Sequence, residues 1–129
     1  MLTMAFIVVM SVIGYMILKF NSSSNVHTVR SFMDTRAELM LKSSTEYAIL
    51  ALQGHDFSSG CLNKVNLQDN LFDVNITYHY FLTSCPSSCN YCSAISTEDT
   101  NGSVLIYVTV VSKNPSFHIR KVRFTLQNP

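Results

Sequence analysis

The first eighteen residues of the chain, MLTMAFIVVMSVIGYMIL, contain no charged side chain, and the first charge is that of Lys19. An α-helix of this length rises about 27 Å, which is close to the thickness of the hydrocarbon layer of a bilayer. The hydroxyl groups of Thr3 and Ser11 can donate to backbone carbonyl groups within the helix, so they do not prevent it from crossing. The sequence therefore predicts a membrane-spanning helix at the N-terminus.

Two other structures share this pattern, namely a cleaved secretory signal and a buried core helix. A signal peptide begins with basic residues and ends at a cleavage site flanked by small residues. Nothing basic precedes Lys19, and the following KFNSSS contains no A-x-A pattern. These features favour a membrane segment over a signal peptide.

The composition of the whole chain sets further limits. Only 13% of the 129 residues are charged, but after Phe20 the chain holds eight basic and eight acidic residues, so the deficit is confined to the N-terminal segment. The length suits one domain, and an apolar fraction of 47% argues against a disordered chain. A net charge of +1 provides no field that would attract nucleic acid, so no nucleic-acid partner is expected.

The orientation of the membrane segment presents a conflict. Lys19 and Arg30 follow it and nothing basic precedes it, so the positive-inside rule would place the C-terminal part in the cytoplasm. The cysteines and glycosylation motifs described below indicate the opposite side. We hypothesise that a short basic leader precedes Met1 in the translated protein. Sequencing the reading frame upstream of Met1 would reject this hypothesis if no leader codons were found.

A second helical pattern extends from Val26 to about Gln53. Its apolar residues recur at steps of three, four or seven, and they are Val29, Met33, Ala37, Met40, Tyr47 and Ala51. The intervening FNSSSN forms helix poorly, because its side chains compete for backbone hydrogen bonds. It predicts either a weak point in one long helix or a break at which Ser24 or Asn25 caps a second one. Gly54 is expected to end the helix.

Beyond Gly54 the period of the pattern falls to two, which is typical of β-strands. Alternation predicts strands over 72–83, 104–111 and 121–127, and Asn114-Pro115-Ser116 is expected to join the last two as a hairpin. A basic cluster around the last strand is expected to protect a sheet edge, and it comprises His118, Arg120, Lys121 and Arg123. A helix laid on an antiparallel sheet of about three or four strands gives an α+β fold.

Four cysteines, three of them in the segment TSCPSSCNYC, predict two structural disulfides. They are Cys61, Cys85, Cys89 and Cys92. A zinc site of four thiolates and a redox pair at Cys89 and Cys92 are the alternatives. Four cysteines allow three pairings. Strain disfavours a bond between Cys89 and Cys92, and the sequence does not choose further.

Three N-x-[ST] motifs begin at Asn21, Asn75 and Asn101. Those at Asn75 and Asn101 also have an aspartate two residues earlier, a pattern that resembles the acceptor of bacterial periplasmic oligosaccharyltransferases. Asn75 and Asn101 are therefore possible glycosylation sites. No nucleophile, metal-binding or phosphate-binding motif is present, so we expect no enzymatic activity and no cofactor.

The order of these segments resembles that of type IV pilins and type II secretion pseudopilins. The stretch that carries the resemblance is similar to the mature N-terminal helix of that family, including its glycine, and it comprises Ile7, Val8, Val9, Met10, Ser11, Val12, Ile13 and Gly14. The similarity in sequence covers about the first 50 residues. Beyond them only the predicted architecture agrees.

The resemblance implies a chain in three parts. Residues 1–20 would be the transmembrane and filament-core segment, 21–53 the amphipathic half of the helix, and 54–129 a periplasmic β-sheet head with a disulfide loop. Met1 would be the mature, N-methylated residue exposed by a prepilin peptidase. The other partners would be the bacterial inner membrane, the assembly platform, other pilin or pseudopilin subunits, and an unknown ligand at the filament tip.

One departure narrows the role that the resemblance implies. The family carries a glutamate in the first turn that is thought to neutralise the N-terminal amine of a neighbouring subunit, and this chain has Ala5 there. A minor subunit is therefore expected rather than the major pilin. The rival interpretation is a single-pass anchored domain outside the cytoplasm that binds a ligand, holds zinc or handles thiols.

Overall fold

The computed structural model describes residues 2–96 and 102–128, apart from the side chains of Leu2, Ser22 and Ser23. It contains one long helix, a short 3₁₀ helix and five strands. They are α1 (Leu2–Gln53), the 3₁₀ helix (Phe57–Ser59), β1 (Lys64–Gln68), β2 (Phe72–Leu82), β3 (Cys92–Ala94), β4 (Ser103–Ser112) and β5 (Arg120–Gln127). The predicted α+β fold is confirmed. The chain forms two compact units, Met1–Thr35 and Arg36–Pro129.

The first unit consists only of the first part of α1, and the helix continues through FNSSSN without a break. Of the two structures predicted for this stretch, the single helix is therefore the one observed. Hydroxyl groups along the helix donate to the carbonyl group four residues earlier, as Thr28 does to Ser24 at 3.0 Å and Thr35 does to Ser31 at 3.0 Å. These bonds keep the polar side chains compatible with a helical backbone.

The second unit contains a sheet with the strand order β1-β2-β4-β5, in which these neighbours are all antiparallel. The three predicted strands are β2, β4 and β5, and the hairpin between β4 and β5 is confirmed. Its turn is held by the Asn114 side chain, whose Oδ1 accepts from the backbone N–H of Ser116 at 2.9 Å. β1 and β3 were not predicted, because they have only five and three residues, although the short β1 does alternate between polar and apolar side chains.

The last turns of α1 pack on the sheet through small side chains. Ala37, Ser44 and Ala48 are buried, and they allow the helix backbone to approach the large residues of β2 closely. Leu41 and Leu52 complete the buried surface of the helix. On the sheet the buried hydrophobic residues are Phe72, Val74, Ile76, Tyr78, Tyr80, Val104, Ile106, Val108 and Val110.

The observed buried surface of the helix corrects the predicted one. Tyr47 is 48% exposed and Val29 is 46% exposed, although the spacing placed both on the apolar stripe. Ser44 and Thr45 are buried instead, and the Thr45 hydroxyl donates to the carbonyl group of Leu41 at 2.7 Å. Apolar spacing predicted the buried Met33 and Ala37 correctly, but it failed further along the helix, where close packing against the sheet selects small side chains.

Tyr78 joins the two layers of the second unit. Its ring is fully buried, and its hydroxyl donates to the carbonyl oxygen of Ala48 in α1 at 2.9 Å. Burial raises the pKa of Tyr78 to about 12. Burial also raises the pKa of Tyr80, whose hydroxyl donates to the carbonyl oxygen of Leu62.

Replacing Tyr78 by phenylalanine is expected to lower the free energy of unfolding by about 1 kcal/mol at pH 8, through loss of this hydrogen bond. A tyrosine in the unfolded chain ionises near pH 10, so the folded state of the wild type holds the proton more tightly. The associated stability is present below pH 10 and is lost as the pH rises toward 12. Between pH 8 and pH 11, the free energy of unfolding measured with urea should fall by about 1 kcal/mol less in Tyr78→Phe than in the wild type.

The control for that comparison is Tyr91→Phe, since Tyr91 is 48% exposed. The free energy of unfolding of this control should match that of the wild type at both pH 8 and pH 11. If the free energy of unfolding fell equally from pH 8 to pH 11 in the wild type and in Tyr78→Phe, the role given to the buried hydroxyl group would be contradicted.

Candidate functional site

The candidate site is the apolar helix segment, which we define as residues 3–20 of α1. Every residue in it is exposed in the single chain, including Ile7 at 65% and Ile13 at 48%. The predicted assembly residues all lie on this surface, and they are Ala5, Ile7, Val8, Val9, Val12, Ile13 and Gly14. Met1, the predicted processing residue, lies outside the described residues.

Exposed apolar surface of this extent requires an apolar environment. Soluble monomers rarely expose contiguous apolar patches larger than a few hundred Å². α1 is long and apolar enough to cross a membrane, and its most apolar window has no residue buried by the rest of the chain. Lys19 lies over the ring of Tyr15, with its Nζ 5.7 Å from the ring centroid. Such a pair is typical of the boundary between hydrocarbon and headgroups.

Gly14 lies on a part of the α1 surface that the other described residues leave open. A Cβ atom added there would meet no atom within 4 Å. Within the hydrocarbon layer a glycine leaves a flat surface on which a second helix can approach closely. The residue is therefore suited to contacts between helices of different chains.

Two disulfides hold the loop that precedes β3. Cys61 pairs with Cys89 and Cys85 pairs with Cys92, with Cα–Cα distances of 5.0 and 5.9 Å. The prediction of two disulfides is thus confirmed, and the pairing that the sequence left open is given. Thiols bonded in this way are not available as the thiolates that a zinc or redox site requires.

The same loop is fastened by the side chain of Asn63. Its Nδ2 donates to the carbonyl oxygen of Ser88 at 3.2 Å, and its Oδ1 accepts from the backbone N–H of Asn90 at 2.9 Å. The Cys61–Cys89 disulfide and these two hydrogen bonds tie the loop to the chain just before β1, whereas the Cys85–Cys92 disulfide closes the loop on the start of β3. The result is a covalently fixed end of the sheet.

The two possible glycosylation sites differ in what the structure describes. Asn75 is exposed in the middle of β2, paired with Asn66 of β1 and Thr109 of β4. Its neighbour Ile76 is fully buried, so the motif is held in an extended strand. Asn101 lies outside the described residues.

The sheet has a second apolar surface on the side away from α1, which we call the outer sheet face. Its most exposed members are Phe124 at 64% and Leu126 at 58%, and the Phe124 ring lies 4.9 Å from that of Tyr107, centroid to centroid. The helix side of β5 instead carries Arg123, which lies 4.0 Å from Glu38 of α1. Sequence reasoning missed this face. The signal that indicates it is the apolar character of both faces of β4.

Phe124→Ser is expected to reduce the free energy of unfolding by less than about 1 kcal/mol, because only a cross-strand contact is lost. Ile106→Ala, on the buried side of β4, should cost about 2–4 kcal/mol, since it leaves a cavity. Urea unfolding of the two variants measures both values. Equal losses would contradict the assignment of Phe124 to an uncovered surface.

Two histidines of the second unit contact nearby polar atoms. His79 Nε2 lies 2.9 Å from the Ser93 hydroxyl, and His55 Nε2 lies 2.9 Å from the carbonyl oxygen of Gly60. The described residues contain no group of three or more His, Cys, Asp or Glu side chains placed to hold a metal ion. Three residues of the predicted basic cluster, Arg120, Lys121 and Arg123, lie on β5, which is an edge strand as expected, and His118 lies just before it.

No protein-family model, curated protein or solved structure matches the chain. The function has to be inferred from the chain's own residues.

Proposed function

We propose that the chain is a pilin-like structural subunit, either a minor pilin or a pseudopilin. In this proposal residues 1–20 hold it in the bacterial inner membrane and later pack in a type IV pilus or a type II secretion pseudopilus. The observation that carries the proposal is the exposed apolar helix segment, which has no charged side chain before Lys19 and belongs to a helix that runs unbroken to Gln53. The last turns of that helix pack on a disulfide-bearing antiparallel sheet.

The proposed mechanism needs no covalent chemistry. Hydrocarbon tails and neighbouring helices are both apolar, so transfer from bilayer to filament changes the hydrophobic free energy little. Close packing between helices then favours assembly, and the surface at Gly14 supports such contacts. Ala5 brings no carboxylate to a neighbouring N-terminal amine, which favours a minor subunit.

The proposed location of the head is the periplasm. Disulfides persist in oxidising compartments, and the head holds two of them. A basic leader upstream of Met1 would reconcile this location with the positive-inside rule. The prepilin peptidase and the assembly platform are the partners that the proposal requires.

Mass analysis of the chain purified from its own cells tests the proposal. The expected N-terminal peptide begins at Met1 and carries a methylated α-amine. An upstream leader that remains attached, or a Met1 that retains a formyl group, would contradict processing by a prepilin peptidase.

A second candidate is a single-pass anchored domain that binds a ligand outside the cytoplasm. The exposed outer sheet face around Phe124 favours it, since uncovered apolar surface often marks an interaction site. In this case the N-terminus would show no methylation and the chain would remain in the membrane fraction as a single subunit.

A further inference from the structure

A cavity of about 470 Å³ lies in the second unit, beside the end of α1. The helix stops at Gln53, whereas β2 continues to Leu82 and β5 to Gln127. The chain then enters the 3₁₀ helix, where the Phe57 ring lies edge-on to that of Tyr80, with 6.4 Å between centroids. The described residues cover the sheet incompletely at this end, and the cavity is the volume that they leave open.

The lining of the cavity is apolar with a few uncharged polar groups. The apolar side chains come from the helix, the 3₁₀ helix and two strands, and they are Ile49, Leu52, Phe57, Leu82 and Val104. The amide side chains are those of Gln53, Gln127 and Asn128. No Asp, Glu, Lys, Arg or His is among the described lining residues.

The Tyr80 hydroxyl and the Asn128 amide, which line the cavity, already have hydrogen-bond partners. The Tyr80 hydroxyl donates to the carbonyl oxygen of Leu62 at 2.9 Å, so its proton is engaged. The Ser103 hydroxyl donates to Asn128 Oδ1 at 2.8 Å, which orients that amide. The Gln53 amide, on an exposed residue at the end of α1, offers both a donor and an acceptor.

These features select the chemistry of a ligand. Protein interiors contain few voids larger than a water molecule, and an apolar cavity holds water poorly. The volume lies within the range of small-molecule sites, which are also mainly apolar with a few placed polar groups. A charged molecule would lose hydration here without gaining a counter-charge.

We propose that this cavity binds a neutral small molecule with an apolar body and an uncharged amide or alcohol end. The apolar body lies against Leu52, Leu82 and Val104, and the Gln53 amide bonds the polar end. Cys61 lines the same cavity, so its disulfide with Cys89 fixes one wall. The site does not depend on the proposed assembly of the N-terminal helix.

The test uses three probes that share a six-carbon body and differ in charge, namely hexanamide, hexanoate and hexylammonium. Methyl-labelled full chain in nanodiscs is titrated with each, and the shifts of the Leu52, Leu82 and Val104 methyl groups are followed by NMR. We expect saturable shifts with hexanamide and a Kd on the order of millimolar. The two charged probes should bind at least tenfold more weakly.

Three variants separate the cavity from its surroundings. Leu82→Phe should fill the cavity and weaken the binding of hexanamide at least fivefold. Gln53→Leu changes an exposed residue, so the fold should persist. Because this variant lacks the amide that bonds the polar end, it should no longer bind hexanamide more tightly than hexane. Leu105→Phe, on the outer sheet face, should bind hexanamide as the wild type does.

Three results would overturn the proposal. They are a lack of saturable shifts with hexanamide, equal binding of all three probes, and unchanged binding in both Leu82→Phe and Gln53→Leu.

Discussion

Replacing Val9 and Ile13 together by lysine is expected to prevent stable insertion of the chain into membranes. The two residues lie about one turn apart in the middle of the uncharged segment, and both are exposed. Lysine at the centre of a membrane helix is less favourable than valine or isoleucine by about 3 kcal/mol, so the pair costs about 6 kcal/mol. The variant should move from the carbonate-resistant membrane fraction to the soluble or aggregated fraction.

The matched control carries the same two charges on the helix of the second unit. Leu39 and Leu50 are 61% and 66% exposed, so Leu39→Lys with Leu50→Lys should leave membrane association unchanged. Retention of the Val9 and Ile13 double variant in the membrane fraction, at the level of this control, would contradict the role of the apolar helix segment.

Loss of the Cys61–Cys89 disulfide is expected to be the most damaging change in the head. It closes a loop with a sequence separation of 28, and the chain-entropy relation gives about 3.5 kcal/mol for its removal. The Cys85–Cys92 bond spans a separation of 7, for which the same relation gives about 2.4 kcal/mol. Cys61→Ser with Cys89→Ser should therefore destabilise more than Cys85→Ser with Cys92→Ser.

Urea unfolding of the two double variants, followed by circular dichroism, measures both losses. The fully reduced wild type serves as the reference and should be less stable than either variant. A larger loss from the shorter loop, or no loss from either, would show that the disulfides do not constrain the unfolded chain in this way.

The strongly patterned elements were predictable from sequence. The uncharged segment before Lys19 forms a helix long and apolar enough to cross a membrane, and the long alternation beginning at Phe72 forms a half-buried strand. The helix end at Gly54 was also predicted correctly, and the Gly54 N–H bonds the carbonyl oxygen of Leu50 at 2.9 Å. Local composition was sufficient for these features because each depends on residues close in the chain.

Features that depend on distant residues were not predictable. The buried stripe of α1 runs through Ser44 and Thr45 because the sheet lies close to the helix, and no local pattern reveals that distance. Alternation in β5 predicts a strand but does not say which side meets the helix, so the outward position of Phe124 was missed. The disulfide pairing likewise follows from the fold rather than from cysteine spacing.

Photo-cross-linking tests the proposed assembly most directly. A benzophenone amino acid is placed at Ile7, in the apolar helix segment, and at Lys64, an exposed residue of β1, in separate variants expressed in the native cells. We predict that the Ile7 variant cross-links to other pilin or pseudopilin subunits and that the Lys64 variant does so much less. Cross-links from Ile7 to lipid alone, under conditions in which filaments assemble, would contradict assembly through the N-terminal helix.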